Sequence, residues 1–174
     1  MYLHHPLYTS TTEKYGNAAY ESLCLFRTVE SFWHYFLHLP HPSQIFGNTR
    51  RFRERVDGKW IEAFGIFQEC VVPEWEHNIH GGHIEFVFSD PAQMDDMWEL
   101  LCLLLIGETM LHSEAVIGIR VVDKSKGRKP NYRFEVWLSS QDPLIREDII
   151  QQLLTRLSPD LLTIYKVHPS GFTK

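Results

Sequence analysis

The segment VVPEWEHNIHGGH at residues 71–83 holds the side chains best suited to chemistry in this chain. Trp75 and Glu76 stand side by side after a proline, in a stretch that reads as a loop between strands. An indole offers a π face. Against a guanine made cationic by methylation at N7, a ring above and another below each gain cation–π energy, on the order of 0.5 to 2 kcal/mol beyond ordinary stacking. Unmethylated guanine lacks that increment. A carboxylate beside the stacking ring can accept two hydrogen bonds from the N1–H and N2 amino edge of guanine, a donor pair that adenine does not offer. Glu76 fits that task. Phosphates attached to such a base would need cations a few ångströms further along, and Arg120 and Arg133 are candidates. Each part alone is weak, since a Trp-Glu pair is more often a half-buried ring beside a solvated acid.

The same segment permits a different chemistry. His77, His80 and His83 with Glu76 have the residue types of a zinc site in a hydrolase. The Gly81-Gly82 step breaks any helix that would align them, and no nucleophile, base and orienting group appear together in the pattern. The expectation is therefore a binding protein with no catalytic residue, no metal and no cofactor.

Positioning these residues requires a scaffold, and strands and helices interleave along the chain. Thr28 can cap a helix running to about Leu39, with Val29, Phe32, Phe36 and Leu39 in one stripe and Trp33 at its flank, until Pro40 and Pro42 stop it. Residues 46 to 59, which include the basic run GNTRRFRERVDGK, read as a polar excursion of unassigned role. Asp90 and Pro91 open a second helix in which Met94, Met97, Trp98, Leu101, Leu104 and Leu105 recur at helical spacing up to Gly107. Leu103 points away from that stripe, with Glu99, Leu100 and Ile106 near it. Such a far face suits a partner, or a helix buried on both sides. Asp142 and Pro143 open a third helix, ended by Ser158 and Pro159.

Alternating strands are expected at HIEFVF (83–88), AVIGIRVV (115–122), NYRFEVWLS (131–139) and LLTIYKV (161–167), with others near the N-terminus and around Trp60 to Phe67. The alternation puts Asn131, Arg133, Glu135, Trp137 and Ser139 on one side of their strand. It groups Ile117, Ile119 and Val121 on one face and turns Arg120 the other way. The loop DKSKGRKP then gathers Lys124, Lys126, Arg128, Lys129, Arg120 and Arg133 into a positive patch. The fold class is α+β: a single domain over residues 1–174, one largely antiparallel sheet packed against three helices.

Composition bounds the reading. The chain has 174 residues, 44% of them apolar, and a formal net charge of -5. An acidic protein does not coat nucleic acid through a broad basic surface, so a nucleic-acid ligand must be gripped locally. No apolar stretch is long enough to span a bilayer, and the N-terminus lacks the pattern of a secretory signal. Cys24, Cys70 and Cys102 are scattered and odd in number, which predicts free thiols in the cytoplasm or nucleus.

A resemblance joins these pieces. HPL at 5–7, TVESFW at 28–33, VPEWE at 72–76, GGH at 81–83, MWELLCLLLIGE at 97–108, AVIGIR at 115–120 and FEVW at 134–137 occur in the order of the eukaryotic translation initiation factor 4E family. The similarity runs over nearly the whole chain. It implies a curved antiparallel sheet with three helices on its convex face, a concave front that holds the 7-methylguanosine cap of mRNA, and a role in translation initiation as a monomer. Trp75 then resembles the family's second stacking tryptophan, Glu76 its guanine-reading acid and Trp137 the indole near the N7-methyl group. Arg120 and Arg133 resemble its phosphate-binding pair. Tyr15 is nearest to the place of the first stacking tryptophan, ahead of Tyr20. His83 stands where the family usually has a phosphate-gripping arginine and is carried over as a cap-binding residue with a weaker grip near neutral pH, and the basic loop beyond VHPSGFTK is mostly missing. The resemblance further implies a back groove for a scaffold initiation factor of the 4G type, or another protein with a Tyr-x4-Leu-hydrophobic helix, on His5, Pro6, Val29, Trp33, Leu100 and Leu103. Glu99 and Leu100 stand in the reverse of the usual order. A cap-binding translational repressor is the alternative the resemblance leaves open.

Overall fold

The computed structural model describes residues 5–12, 18–47, 60–126, 129–158 and 161–168. Seven strands form one open, curved antiparallel sheet: β1 (His5–Thr12), β2 (Ala18–Phe26), β3 (Ile61–Phe67), β4 (Gly82–Phe88), β5 (Val116–Asp123), β6 (Tyr132–Leu138) and β7 (Leu162–Val167). Their spatial order is β2-β1-β3-β5-β6-β4-β7. Four helices join them: α1 (Val29–Phe36), α2 (Pro42–Phe46), α3 (Met94–Ile106) and α4 (Pro143–Arg156).

The helices start where the capping chemistry places them. Thr28 Oγ1 accepts from the backbone N–H of Ser31 at 3.2 Å, and Asp142 accepts from Leu144 N–H at 2.9 Å with Pro143 in the first turn. Asp90 also caps, accepting from Ala92 N–H at 2.9 Å, but it opens a 3-10 turn over Pro91–Gln93 before α3 begins. Two differences from the sequence reading are local. Helix α1 ends at Phe36 rather than near Leu39, and the proline pair that stops it also starts α2, because Pro42 suits a first helical turn. Asp95 on α3 ties α2 down by accepting from both the N–H and the hydroxyl of Ser43, at 2.9 and 2.6 Å.

Every helix contributes to one apolar interior on the back of the sheet. Phe32, Ile45, Phe46, Trp98, Leu101, Ile149 and Leu153 meet Phe64, Ile66, Ile84, Phe86, Ile119, Val121, Phe134 and Val136 there. The strand residues of opposite phase face the front. One exception matters. A bulge between Val116 and Gly118 in the pairing of β5 with β6 sends Ile117 forward, where it joins Phe67 and Trp137 in a small second cluster. The strict alternation that grouped Ile117 with Ile119 and Val121 is thus corrected, since two residues of β5 span one step of β6 at that point.

Candidate functional site

Trp75 and Glu76 lie in a 3-10 turn, Trp75–His77, between β3 and β4. The Trp75 indole is half-buried against the Phe67, Ile117 and Trp137 cluster, while Glu76 is exposed. The turn is anchored from below. Asn78 Nδ2 donates to Leu138 O at 2.9 Å and meets His168 Nδ1 at 3.1 Å, and the N–H of His168 donates to Gly81 O at 3.1 Å. The Gly81-Gly82 pair permits this close packing: a Cβ on Gly81 would strike Leu138 O and the Asn78 amide, and one on Gly82 would strike the Tyr165 hydroxyl.

The front of the sheet next to this turn is a charged network rather than an open basic patch. Arg120 Nε donates to Glu135 Oε2 at 2.6 Å, and its Nη1 reaches Pro73 O at 3.3 Å. Arg133 Nη1 donates to both oxygens of Glu85, at 3.0 and 3.2 Å, and Lys166 Nζ donates to Glu85 Oε1 at 2.7 Å. Both carboxylates are only 2% exposed. Burial alone would push the Glu85 carboxyl up, but hydrogen bonds from His83 and Lys166 and the charges of Arg133 and Lys166 outweigh it and hold it at about 2. Glu135 follows the same logic: burial raises it, and Arg120, His83 and the Trp137 N–H together bring it below the usual carboxylate range. The two strand arginines of the expected positive patch are thus each paired with a buried acid.

Trp137 lies beneath this network, not on it. Its ring is 1% exposed, its Nε1 donates to Glu135 Oε2 at 2.9 Å, and the Arg120 guanidinium sits 4.8 Å from its centroid. His83 stacks on it at 5.5 Å with an interplanar angle of 15°. His83 Nδ1 meets His168 Nε2 at 2.7 Å and its Nε2 meets Glu85 Oε1 at 3.2 Å. Both ring nitrogens therefore have partners within the fold. His168 is driven down to about 4 by its burial and by the neighbouring His83.

The zinc alternative finds no support in the geometry. Among the described residues the ligand group is His83, Glu85 and Glu135, within 4.8 Å of one another, and three cations already neutralise it. His77 instead pairs with Glu74 at 3.2 Å. Tyr15, Arg128 and residues 48–59 lie outside the described residues, as do the side chains of His5, Pro6 and Tyr20. His5 and Pro6 fall in β1, opposite Phe26 and Leu25 of β2. On the helical side Val29 and Leu103 are 45% and 44% exposed, Trp33 and Leu100 are half-buried against the core, and Ile106 is buried rather than beside Leu103. Lys166 and His168 escaped the sequence reading. The alternation of LLTIYKV placed Lys166 next to His83 only once β7 was known to pair with β4.

This arrangement of strands, turn and helices has a family. A family model described as eukaryotic initiation factor 4E matches residues 2–174. The chain belongs to the eukaryotic initiation factor 4E family. Its relatives include the eukaryotic translation initiation factor 4E of Saccharomyces cerevisiae, 28% identical over 157 residues that cover 82% of this chain and 66% of the relative. The chain spans about a third to two thirds of the length of the curated relatives it matches. Among solved structures, the Ascaris suum eIF4E-3 complex with m2,2,7G cap superposes with a TM-score of 0.74 at 22% identity, covering 99% of this chain and 92% of that one. The Caenorhabditis elegans eIF4E-3 complex with the 4E-binding protein Mextli and cap analog gives 0.75 at 20%, covering 95% and 90%. The eukaryotic initiation factor 4E fold is thus present throughout the described sheet.

Proposed function

We propose that this chain binds the 7-methylguanosine cap of mRNA and acts in translation initiation through a scaffold protein, as a binding protein and not an enzyme, in the cytoplasm. The observation that carries the reading is the Trp75-Glu76 turn. A half-buried indole and an exposed carboxylate stand at the rim of a face that carries Arg120, Arg133 and Lys166. A cationic purine on that indole gains the cation–π increment, Glu76 accepts from its N1 and N2 edge, and basic side chains of that face meet the phosphates. For the opposite plate the sequence offers Tyr15, which lies outside the described residues. Relatives solved with m2,2,7G cap and with a cap analog support the choice of ligand, and the one solved with the 4E-binding protein Mextli supports a protein partner. Val29, Trp33, Leu100 and Leu103, with His5 and Pro6, form the partner surface.

Tryptophan fluorescence tests this directly. Titration with 7-methyl-GTP is expected to quench strongly and titration with GTP weakly, and Trp75→Ala should abolish the difference. Equal quenching by the two nucleotides would overturn the reading. No described helix is long and apolar enough to cross a membrane.

A further inference from the structure

The two arginines of the front face are not equivalent. Arg120 is committed on three sides: to Glu135, to the Pro73 carbonyl two residues before Trp75, and to the Trp137 ring. Withdrawing it toward a phosphate would leave a buried carboxylate without its cation and release the turn that carries Trp75 and Glu76, which is costly. Glu85 has the opposite surplus. Arg133 and Lys166 both pair with this one carboxylate, so its half of the face carries one positive charge more than Glu85 balances, whereas Arg120 and Glu135 cancel. Arg133 Nε is a buried donor with no hydrogen-bond partner, so that half is also short of acceptors. Lys166 can leave at least cost. Its side chain is 46% exposed, and Glu85 would keep Arg133 and His83 if it did.

We infer that Lys166 on β7, together with Arg133, reads the phosphates of the ligand, and that Arg120 is a positioning residue that holds the Trp75-Glu76 turn against Trp137. The inference rests on the nucleotide-binding reading above and divides its cations by task. A lysine suits the phosphate role, being a mobile point charge with three donors. A guanidinium suits the spanning role, because its fork reaches a carboxylate and a carbonyl at once.

The test separates base affinity from phosphate affinity by measuring 7-methylguanosine monophosphate and triphosphate on each protein. Lys166→Met is expected to cut the ratio of triphosphate to monophosphate affinity about tenfold, the loss of one charge-assisted contact, and to reduce its salt dependence. Arg120→Lys retains the charge but cannot span Glu135 and Pro73, so it should weaken both nucleotides by the same factor and leave their ratio unchanged. Arg120→Gln should do the same, with thermal melting to confirm that it is folded. A Lys166→Met protein with the wild-type ratio, or an Arg120→Lys protein whose loss is confined to the triphosphate, overturns the assignment. Wild-type protein that fails to prefer methylated over unmethylated monophosphate overturns the underlying reading instead, so the two failures are distinct.

Discussion

Behind the sheet, Phe134 packs in an apolar interior, stacked 6.4 Å from Trp98. One residue further along the same strand, in front of the sheet, Glu135 is nearly as deeply buried and is held instead by Arg120 and the Trp137 N–H. The back gains from every atom removed from water. The front gains little net stability, because desolving two charges roughly cancels their attraction, yet losing either partner is expensive. The back therefore sets how stable the protein is, and the front sets where the Trp75-Glu76 turn sits.

The largest expected effect breaks the back. Phe134→Ala should cost about 3 to 5 kcal/mol, the range for emptying an aromatic site in a packed core, measured by denaturant unfolding. Glu135→Leu on the front should cost about 3 kcal/mol by stranding the Arg120 cation. Adding Arg120→Met should restore much of that stability without restoring nucleotide binding, a pairing that two back-face substitutions would not show.

Acid should also separate the two faces. His168 is held near 4 in the fold, below its ordinary 6.5, so between these values the unfolded chain binds the extra proton. Stability should therefore fall as pH drops from 6.5 toward 4, and His168→Gln should flatten that limb. Glu85, held at about 2 against an ordinary 4.5, contributes stability that is complete above 4.5 and is lost as pH falls toward 2. Unfolding midpoints across this range check both. The smallest expected change in stability is at the exposed back helix, where Leu103→Ser should stay within about 0.5 kcal/mol. Titration with a Tyr-x4-Leu-hydrophobic peptide should nevertheless show affinity reduced about tenfold if this side chain anchors the partner.

Much of the back was legible because periodicity reports it. The stripe from Met94 to Leu105 and the alternation through Phe134 and Val136 read burial directly, and Asp142-Pro143 marked a helix start. The Trp75-Glu76 pair was visible for its chemistry, and the structure places it in a turn at the rim of the front face. What period could not carry was pairing between distant strands. Glu85 reads as an ordinary polar position until β4 lies between β6 and β7, and then it binds Arg133 and Lys166. Likewise a single bulged step moved Ile117 to the other face. The short helix from Pro42 was hidden because the same prolines announce a stop.

The anchoring of Asn78 by His168 joins residues 90 apart in the chain. During synthesis the Trp75-Glu76 turn emerges from the ribosome long before β7, so helices α3 and α4 can gather on the nascent sheet while that turn still lacks its clasp. That clasp closes only when the seventh strand docks along β4. Until then the turn of Trp75 and Glu76 is without the contact between Asn78 and His168.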